Sequence, residues 1–449
     1  MRSLWHTVIS ITWFLALFLT TPSRDLVGTM HPLMAAVHHM GATANAATLP
    51  CAQPESLPRC YTPRQIQQAY NVLPLFAAGV TGTGQTIVII AAYQSPTLHH
   101  DLHTFDRLFH LPDPVLVVQT PHGMAAFDPS DLSQVAWAGE ITLDVEWAHA
   151  LAPGAHLTLV EARSPADNDI LAALRWAIRT RSGTVISQSF GEAEDCMTPA
   201  TLATQHALFV QAVQAGMTPV AAAGDTGAAL PDCADAGFHR AVSSPASDPL
   251  VLAVGGTQLA MGRTHQESVW NDDGGATGGG YSAIYARPSY QNGVTTNRAR
   301  GLPDVAADAD PQTGVLCVWS ASGAGADQLF TFGGTSASTP MWAGILALAA
   351  QRAGHGLGWV QPALYASAAH QTRDTFDITQ GTNTVSVPDG NGFRHTIPGT
   401  SAQRGWDAVT GWGSPNARLI VLALAHPTSQ PPPNLPRKEV MDPCITCTC

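Results

Sequence analysis

Short apolar runs alternate along this chain with longer stretches whose apolar residues recur at helical spacing. Gly82-Thr-Gly-Gln85 leads into Thr86-Ile-Val-Ile-Ile-Ala-Ala92, a continuous apolar run bounded by turn residues. That pattern predicts a strand buried on both faces, as in a parallel sheet. The alternation continues with helices over 98–109 and 131–150, a strand from His156 to Val160 and a helix from Asp167 to Arg181. A strand from Thr184 to Ser189, a helix from Thr201 to Gly216 and a strand from Thr218 to Ala223 follow. A short amphipathic helix precedes them, from Thr62 to Asn71. Residues 250–330 are richer in glycine and loops, with a strand at Val251 to Val254. A helix of small and apolar residues follows over 338–354, and 374–416 closes the unit. Strands separated by helices of this length predict βαβ units, with helices on both faces of a mainly parallel sheet.

Composition sets the frame around that core. Of 449 residues, 45% are hydrophobic and 12% charged, enough apolar surface for one large α/β domain over about 51–426. A formal net charge of −12 argues against a nucleic-acid partner. With few charges and 18 histidines, the surface turns strongly positive in acid, compatible with an acidic workplace. Met1-Arg2 followed by an apolar stretch from Leu4 to Leu19 reads as a secretory signal over 1–22, or an anchor if it is not cleaved. Residues 23–50 read as a linker, and 427–449 as a proline-rich linker ending in Cys444, Cys447 and Cys449. Eight cysteines fit an exported protein: Cys51 and Cys60 can close a small loop, and Cys196 and Cys233 a larger one. Cys317 has no evident partner and reads as a buried apolar residue.

Candidate chemistry begins at Thr331-Phe-Gly-Gly-Thr-Ser-Ala-Ser-Thr-Pro-Met-Trp-Ala-Gly344. Two glycines allow a tight turn, and Pro340 suits the first turn of a helix. Ser336 is thereby presented at a helix N-terminus, where backbone N–H groups favour developing negative charge. Thr335, Ser336 and Ser338 taken alone would read as helix caps. Glu140 and Asp144 lie four residues apart in Gly139-Glu-Ile-Thr-Leu-Asp-Val-Glu-Trp147, so they share one helical face. Ile141, Leu143, Val145 and Trp147 leave no clean polar stripe, which predicts a buried helix. Two desolvated carboxyls side by side cannot both ionise easily and titrate as a coupled pair. Such a pair can serve as general base in acid, where a histidine would already be protonated. The first strand ends Ala91-Ala92-Tyr93, without the aspartate that a subtilisin-type Asp-His-Ser triad needs there. His99-His-Asp-Leu-His103 has helical spacing but lacks the glutamate of a His-Glu-x-x-His zinc motif, and reads as a polar face.

These motifs together resemble the sedolisin family, serine-carboxyl peptidases on a subtilisin-like fold. The resemblance covers about 51–416. It takes in Ser187-Gln-Ser-Phe-Gly191, Ser244-Pro-Ala-Ser-Asp-Pro249, Val254-Gly-Gly-Thr257, Thr277-Gly-Gly-Gly-Tyr281 and Pro303-Asp-Val-Ala-Ala-Asp-Ala-Asp-Pro311. It implies an α/β, three-layer fold with a mainly parallel central sheet flanked by helices. It also implies Ser336 as nucleophile, Glu140 as the base that takes its proton and Asp144 as the partner that orients Glu140. Asp225, in Ala223-Gly-Asp-Thr-Gly227, would complete the oxyanion hole beside the Ser336 N–H. The backbone of 187–191 would run along the substrate as an antiparallel edge. One structural Ca²⁺ is implied near the C-terminus, on Asp377, Ile378, Gln403, Gly405 and Asp407, with Gln403 standing where the family has glycine.

Two departures accompany the resemblance. Family members usually carry a folded pro-domain of well over a hundred residues, whereas about 50 residues precede the homology here. The carboxylate that some members place at the end of the first strand is replaced by Ala91-Ala92. The expectation is a secreted, monomeric, acid-acting serine endopeptidase taking protein or peptide substrates. The alternatives are a tripeptidyl aminopeptidase of the same family and a catalytically silent binding protein on this fold.

Overall fold

A computed structural model describes residues 28–34, 37–44, 49, 60–234, 237–261, 265–370, 374–388 and 393–425. The signal or anchor at 1–22, Cys51 and the cysteine tail lie outside them.

An eight-stranded sheet forms the centre: β1 (Thr86–Ala92), β2 (Leu116–Gln119), β3 (His156–Ala162), β4 (Val185–Gln188), β5 (Thr218–Ala222), β6 (Leu252–Met261), β7 (His265–Val269) and β8 (Val305–Asp308). Its order is β7-β6-β5-β4-β1-β3-β2, with β8 parallel to β6 from Val254 to Thr257. Every ladder is parallel except β6 with β7. The fold is the subtilisin-like α/β sandwich. β6 runs well past the four residues that the sequence marks as strand. Its first part is held between β5 and β8, and its end pairs with β7, so the Gly255-Gly256 step that reads as a loop lies within the sheet.

Two helices carry the centre of the site. In Leu132–Leu151 every residue from Trp137 onward is buried, which accounts for an apolar surface on all sides. Asp131 caps it by accepting from the N–H groups of Ser133 and Gln134. Thr335–Ala353 is likewise buried from Thr335 to Ala350 and ends at Gly354, whose φ is 79°. The two helices meet where a Cβ on Gly344 would stand 2.6 Å from Leu151 Cβ. Only glycine lets the backbones come that close.

Residues 28–34 and 37–44, expected as linker, are built into the body. His31–Pro32 pairs antiparallel with the strand Phe190–Ala193, and His38–Thr43 pairs antiparallel with Gln328–Phe332. These strands are held by backbone hydrogen bonds to existing edges. Their Ala/Thr/Met composition therefore shows no periodicity. Cys196 and Cys233 form the larger disulfide, Cys60 is disulfide-bonded, and Cys317 is free and buried. Among the described residues no helix is long and apolar enough to cross a membrane.

Candidate active site

The turn before Ser336 is set by Gly334, whose φ of 94° is a left-handed conformation that a side chain would resist. It places Ser336 in the first turn of its helix, fully buried, with its N–H among those left free of the helix's own ladder. Thr335 is not a helix cap. Its N–H and hydroxyl donate to Asp225 Oδ1 at 2.8 and 2.7 Å, and its oxygen accepts from Gly224 N at 3.1 Å. Ser338 turns away and donates to Gly255 O at 3.0 Å.

Glu140 and Asp144 sit in the middle of the buried helix, 0% and 1% exposed. Asp144 Oδ1 accepts from the Ser189 hydroxyl at 2.5 Å, while its Oδ2 and both Glu140 oxygens have no hydrogen-bond partner. Burial pushes Asp144 up to about 8, with the Ser189 bond opposing the rise. Burial first, then the neighbouring Asp144 charge, drives Glu140 well above the ordinary carboxylate range, and Asp225 adds to it. The Ser336 hydroxyl acts the other way as a donor facing Glu140. The bond the hydroxyl makes in this structure is to Ser189 O, at 3.3 Å. The pair therefore keeps at least one proton through neutrality. Asp225 Oδ2 is shielded from water and unpaired, and burial lifts this carboxyl to about 7, against the two Thr335 bonds. A neutral carboxylic acid is thus placed to donate beside the nucleophile.

The four site residues expected from the sequence come together at one place. Reasoning from sequence missed the clamps on two of them: Ser189, which orients Asp144, and Thr335, which orients Asp225. The chain's own residues 28–34 lie along the edge at 187–191. Leu33 N donates to Ser189 O at 3.1 Å, and Ser336 N donates to Leu33 O at 3.0 Å.

The expected calcium residues also converge. Gly405 N donates to Asp377 Oδ2 at 3.0 Å and Gln403 N to Asp407 Oδ2 at 2.9 Å, so one loop ties both carboxylates. The histidines of 99–103 lie elsewhere, two of them paired with carboxylates: His100 with Asp327 at 2.8 Å and His103 with Asp113 at 2.9 Å. No cluster of three metal-binding side chains occurs among the described residues.

The subtilase family model matches residues 135–413. Kumamolisin of Bacillus sp. (strain MN-32) is 35% identical over 394 residues, covering 84% of this chain and 66% of that protein. Tripeptidyl-peptidase 1 of Canis lupus familiaris is 29% identical over 403 residues, covering 82% and 64%. A solved structure of Pseudomonas sedolisin, described as a serine-carboxyl proteinase complexed with two molecules of pseudo-iodotyrostatin, superposes with a TM-score of 0.68 at 27% identity. It covers 81% of this chain and 97% of that one. The chain spans about two thirds or less of the length of the curated relatives it matches. A buried serine at a helix N-terminus stands beside a carboxyl pair and an aspartate raised by desolvation, on a fold shared with these relatives: the chain belongs to the subtilase family, among the sedolisins.

Proposed function

We propose that the chain is an acid-acting serine-carboxyl endopeptidase that hydrolyses protein or peptide substrates through an acyl-enzyme on Ser336. One observation carries the reading: two buried carboxyls, Glu140 and Asp144, and the part-buried Asp225, whose Oδ2 is shielded from water, surround a serine at a helix N-terminus, each raised by desolvation. In the ionised fraction of the pair Glu140 takes the Ser336 proton as Oγ attacks the substrate carbonyl, while Asp144 stays protonated and shares the charge through that proton. The pair's high affinity for protons makes it a stronger base than an ordinary carboxylate. The tetrahedral oxyanion is held by the Ser336 N–H and by Asp225 Oδ2–H. The pair then protonates the leaving amine, and water hydrolyses the ester by the reverse route. Rising pH removes the Asp225 proton near 7, replaces a donor by a negative charge and ends activity; hence the acid range.

Endopeptidase action is favoured over tripeptidyl release because the cleft holds extended chain beyond the third residue back from Leu33. Met30 and Gly28 still make backbone bonds, to Pro165 O and Asp167 N. Secretion is the reading that the apolar Leu4–Leu19 stretch and the disulfides support. One structural Ca²⁺ would be held by the Asp377 and Asp407 carboxylates with the carbonyls of Ile378, Gln403 and Gly405. This is an oxygen-only set whose carboxyls are both raised by burial, Asp407 to about 6. The ion would supply positive charge to two carboxylates tied by one loop.

Hydrolysis of denatured casein from pH 2 to 8, wild type beside Ser336→Ala and Glu140→Ala, tests the reading. Activity confined to acid and lost in both variants supports it. Activity peaking at neutrality and surviving Glu140→Ala removes the carboxyl base. A folded protein inert at every pH is the silent binding fold.

A further inference from the structure

The extended stretch Gly28–Leu33 shows how the cleft holds a peptide, residue by residue. Leu33 O accepts from Ser336 N at 3.0 Å, and Leu33 N donates to Ser189 O at 3.1 Å. His31 and Pro32 pair antiparallel with Gly191 and Phe190. Met30, 0% exposed, donates from its N–H to Pro165 O at 2.9 Å. Counting back from the residue whose carbonyl faces Ser336, Met30 stands fourth, Thr29 fifth and Gly28 sixth. The protein's contacts continue past the fourth.

The fifth and sixth positions meet a second carboxyl pair, separate from Glu140 and Asp144. Asp167 opens the helix Asp167–Thr180, and its N–H, left free by the helix's own ladder, donates to Gly28 O at 3.1 Å. Glu192 lies on the strand Phe190–Ala193, and its carboxyl accepts from the Thr29 N–H. The two carboxyls bond to each other, while Asp167 Oδ1 and Glu192 Oε1 accept from no N–H or hydroxyl. Burial raises both, Glu192 to about 8 with the Asp167 charge adding to it. In acid the pair is therefore neutral and offers no charge to a lysine or arginine. What it offers is a shape. A Cβ on Gly28 would meet Asp167 Oδ2 and stand 2.8 Å from Glu192 Oε1. Asp167 is 5% exposed, so its carboxyl has little room to swing aside. The next acid of the same turn, Asp169, is engaged elsewhere, accepting from the Ser164 hydroxyl at 2.6 Å and from Arg163 Nε at 3.4 Å.

We propose that Asp167 and Glu192 form a subsite for glycine at the sixth position upstream of the scissile bond, so that the protein prefers peptides carrying glycine there. The proposal rests on the peptidase reading above. Such a glycine is recognised three ways. Its carbonyl is held by the Asp167 N–H, the N–H after it by the Glu192 carboxyl, and the place of its missing side chain is filled by the pair itself. A larger residue either parts the two carboxyls or leaves the subsite, and then forfeits both backbone bonds.

The test uses the full chain with acetylated peptides of the sequence 28–37, whose first residue is glycine, alanine or valine. A fourth peptide begins at the threonine. Cleavage after the leucine is followed by mass spectrometry at about pH 4, where carboxyls raised by burial are protonated. The glycine peptide should have a kcat/KM about tenfold above the alanine and valine peptides, the worth of two backbone hydrogen bonds. The valine and shortened peptides should be cut alike. Asp167→Ala opens the space and should equalise the glycine and alanine peptides, whereas Asp167→Asn, which fills it, should keep the preference. Each ratio is taken within one preparation, so a partly folded variant still reports it. Equal kcat/KM for the glycine, alanine and valine peptides in wild type overturns the proposal. So does an undiminished preference in Asp167→Ala, or a lost one in Asp167→Asn. Hydrolysis of casein with no peptide cut after its leucine overturns it too, and leaves the peptidase reading standing. If folded wild type cuts neither casein nor peptide, that reading fails and the subsite with it.

Discussion

Replacing Asp144 by asparagine should make the protein's stability less sensitive to pH, and the size follows from the site. Asp144 is 1% exposed and rises from 3.8 to about 8 because burial disfavours its charged form. A carboxyl raised on folding contributes its full stability below the unfolded value and loses it as pH climbs through the folded one. Between those limits the unfolded chain ionises and the native one does not, at about 1.4 kcal/mol per pH unit. At pH 6, a little over two units above 3.8, wild type has lost about 3 kcal/mol relative to strong acid through this one group. An asparagine in its place has no proton to lose and can still accept from the Ser189 hydroxyl. Urea unfolding of Asp144→Asn and its parent, both carrying Ser336→Ala to prevent self-digestion, measures the difference from pH 4 to 8. The account predicts a difference that changes by about 2.5 kcal/mol between pH 4 and 6, in favour of the variant, with unchanged m-values. A difference flat across pH would mean that Asp144 is ionised in the native protein, and the shared-proton pair would be abandoned.

Other changes reach different parts of the machinery. Asp225→Ala should lower kcat by about 10²–10³, the usual cost of one oxyanion donor. Asp225→Asn, whose amide donates at any pH, should keep more activity and extend its alkaline limb beyond 7; a pH–rate profile decides. Ser189→Ala removes the hydrogen bond to Asp144 and should cost about 0.5–1.5 kcal/mol in kcat/KM, the range for a bond between neutral groups, without unfolding the protein. Gly344→Ala drives a methyl group into Leu151 and should cost about 1–3 kcal/mol of stability together with activity, since it parts the helices carrying Ser336 and Glu140. Chelation of Ca²⁺ should lower the melting temperature, because an ion bound only by the native state stabilises it by mass action. An unchanged melting temperature in chelator removes the calcium assignment.

Much of this site was legible before any coordinates because its chemistry lies in local patterns. Glu140 and Asp144 share a face through helical spacing alone, and their apolar neighbours foretell the burial that raises both. Ser336 stands out through the glycines that precede it. What stayed hidden is contact between distant residues. Ser189 meets Asp144 across 45 positions and Thr335 meets Asp225 across 110, and a hydroxyl carries no mark of the carboxylate it will clamp. Residues 28–34 were hidden for another reason. They are ordered by backbone hydrogen bonds to edges made elsewhere, and a strand held in that way needs no side-chain pattern of its own.

The central claim, that a carboxyl pair activates Ser336, is met most directly by acid-quenched single-turnover acylation. Wild type and Glu140→Gln would be mixed near pH 4 with a peptide ester, and the ester-linked peptide located by mass spectrometry. The account predicts rapid acylation on Ser336 in wild type and a loss of about 10²–10⁴ in rate with Glu140→Gln, the range for a removed general base. Acylation of Ser336 at an undiminished rate in Glu140→Gln would contradict it.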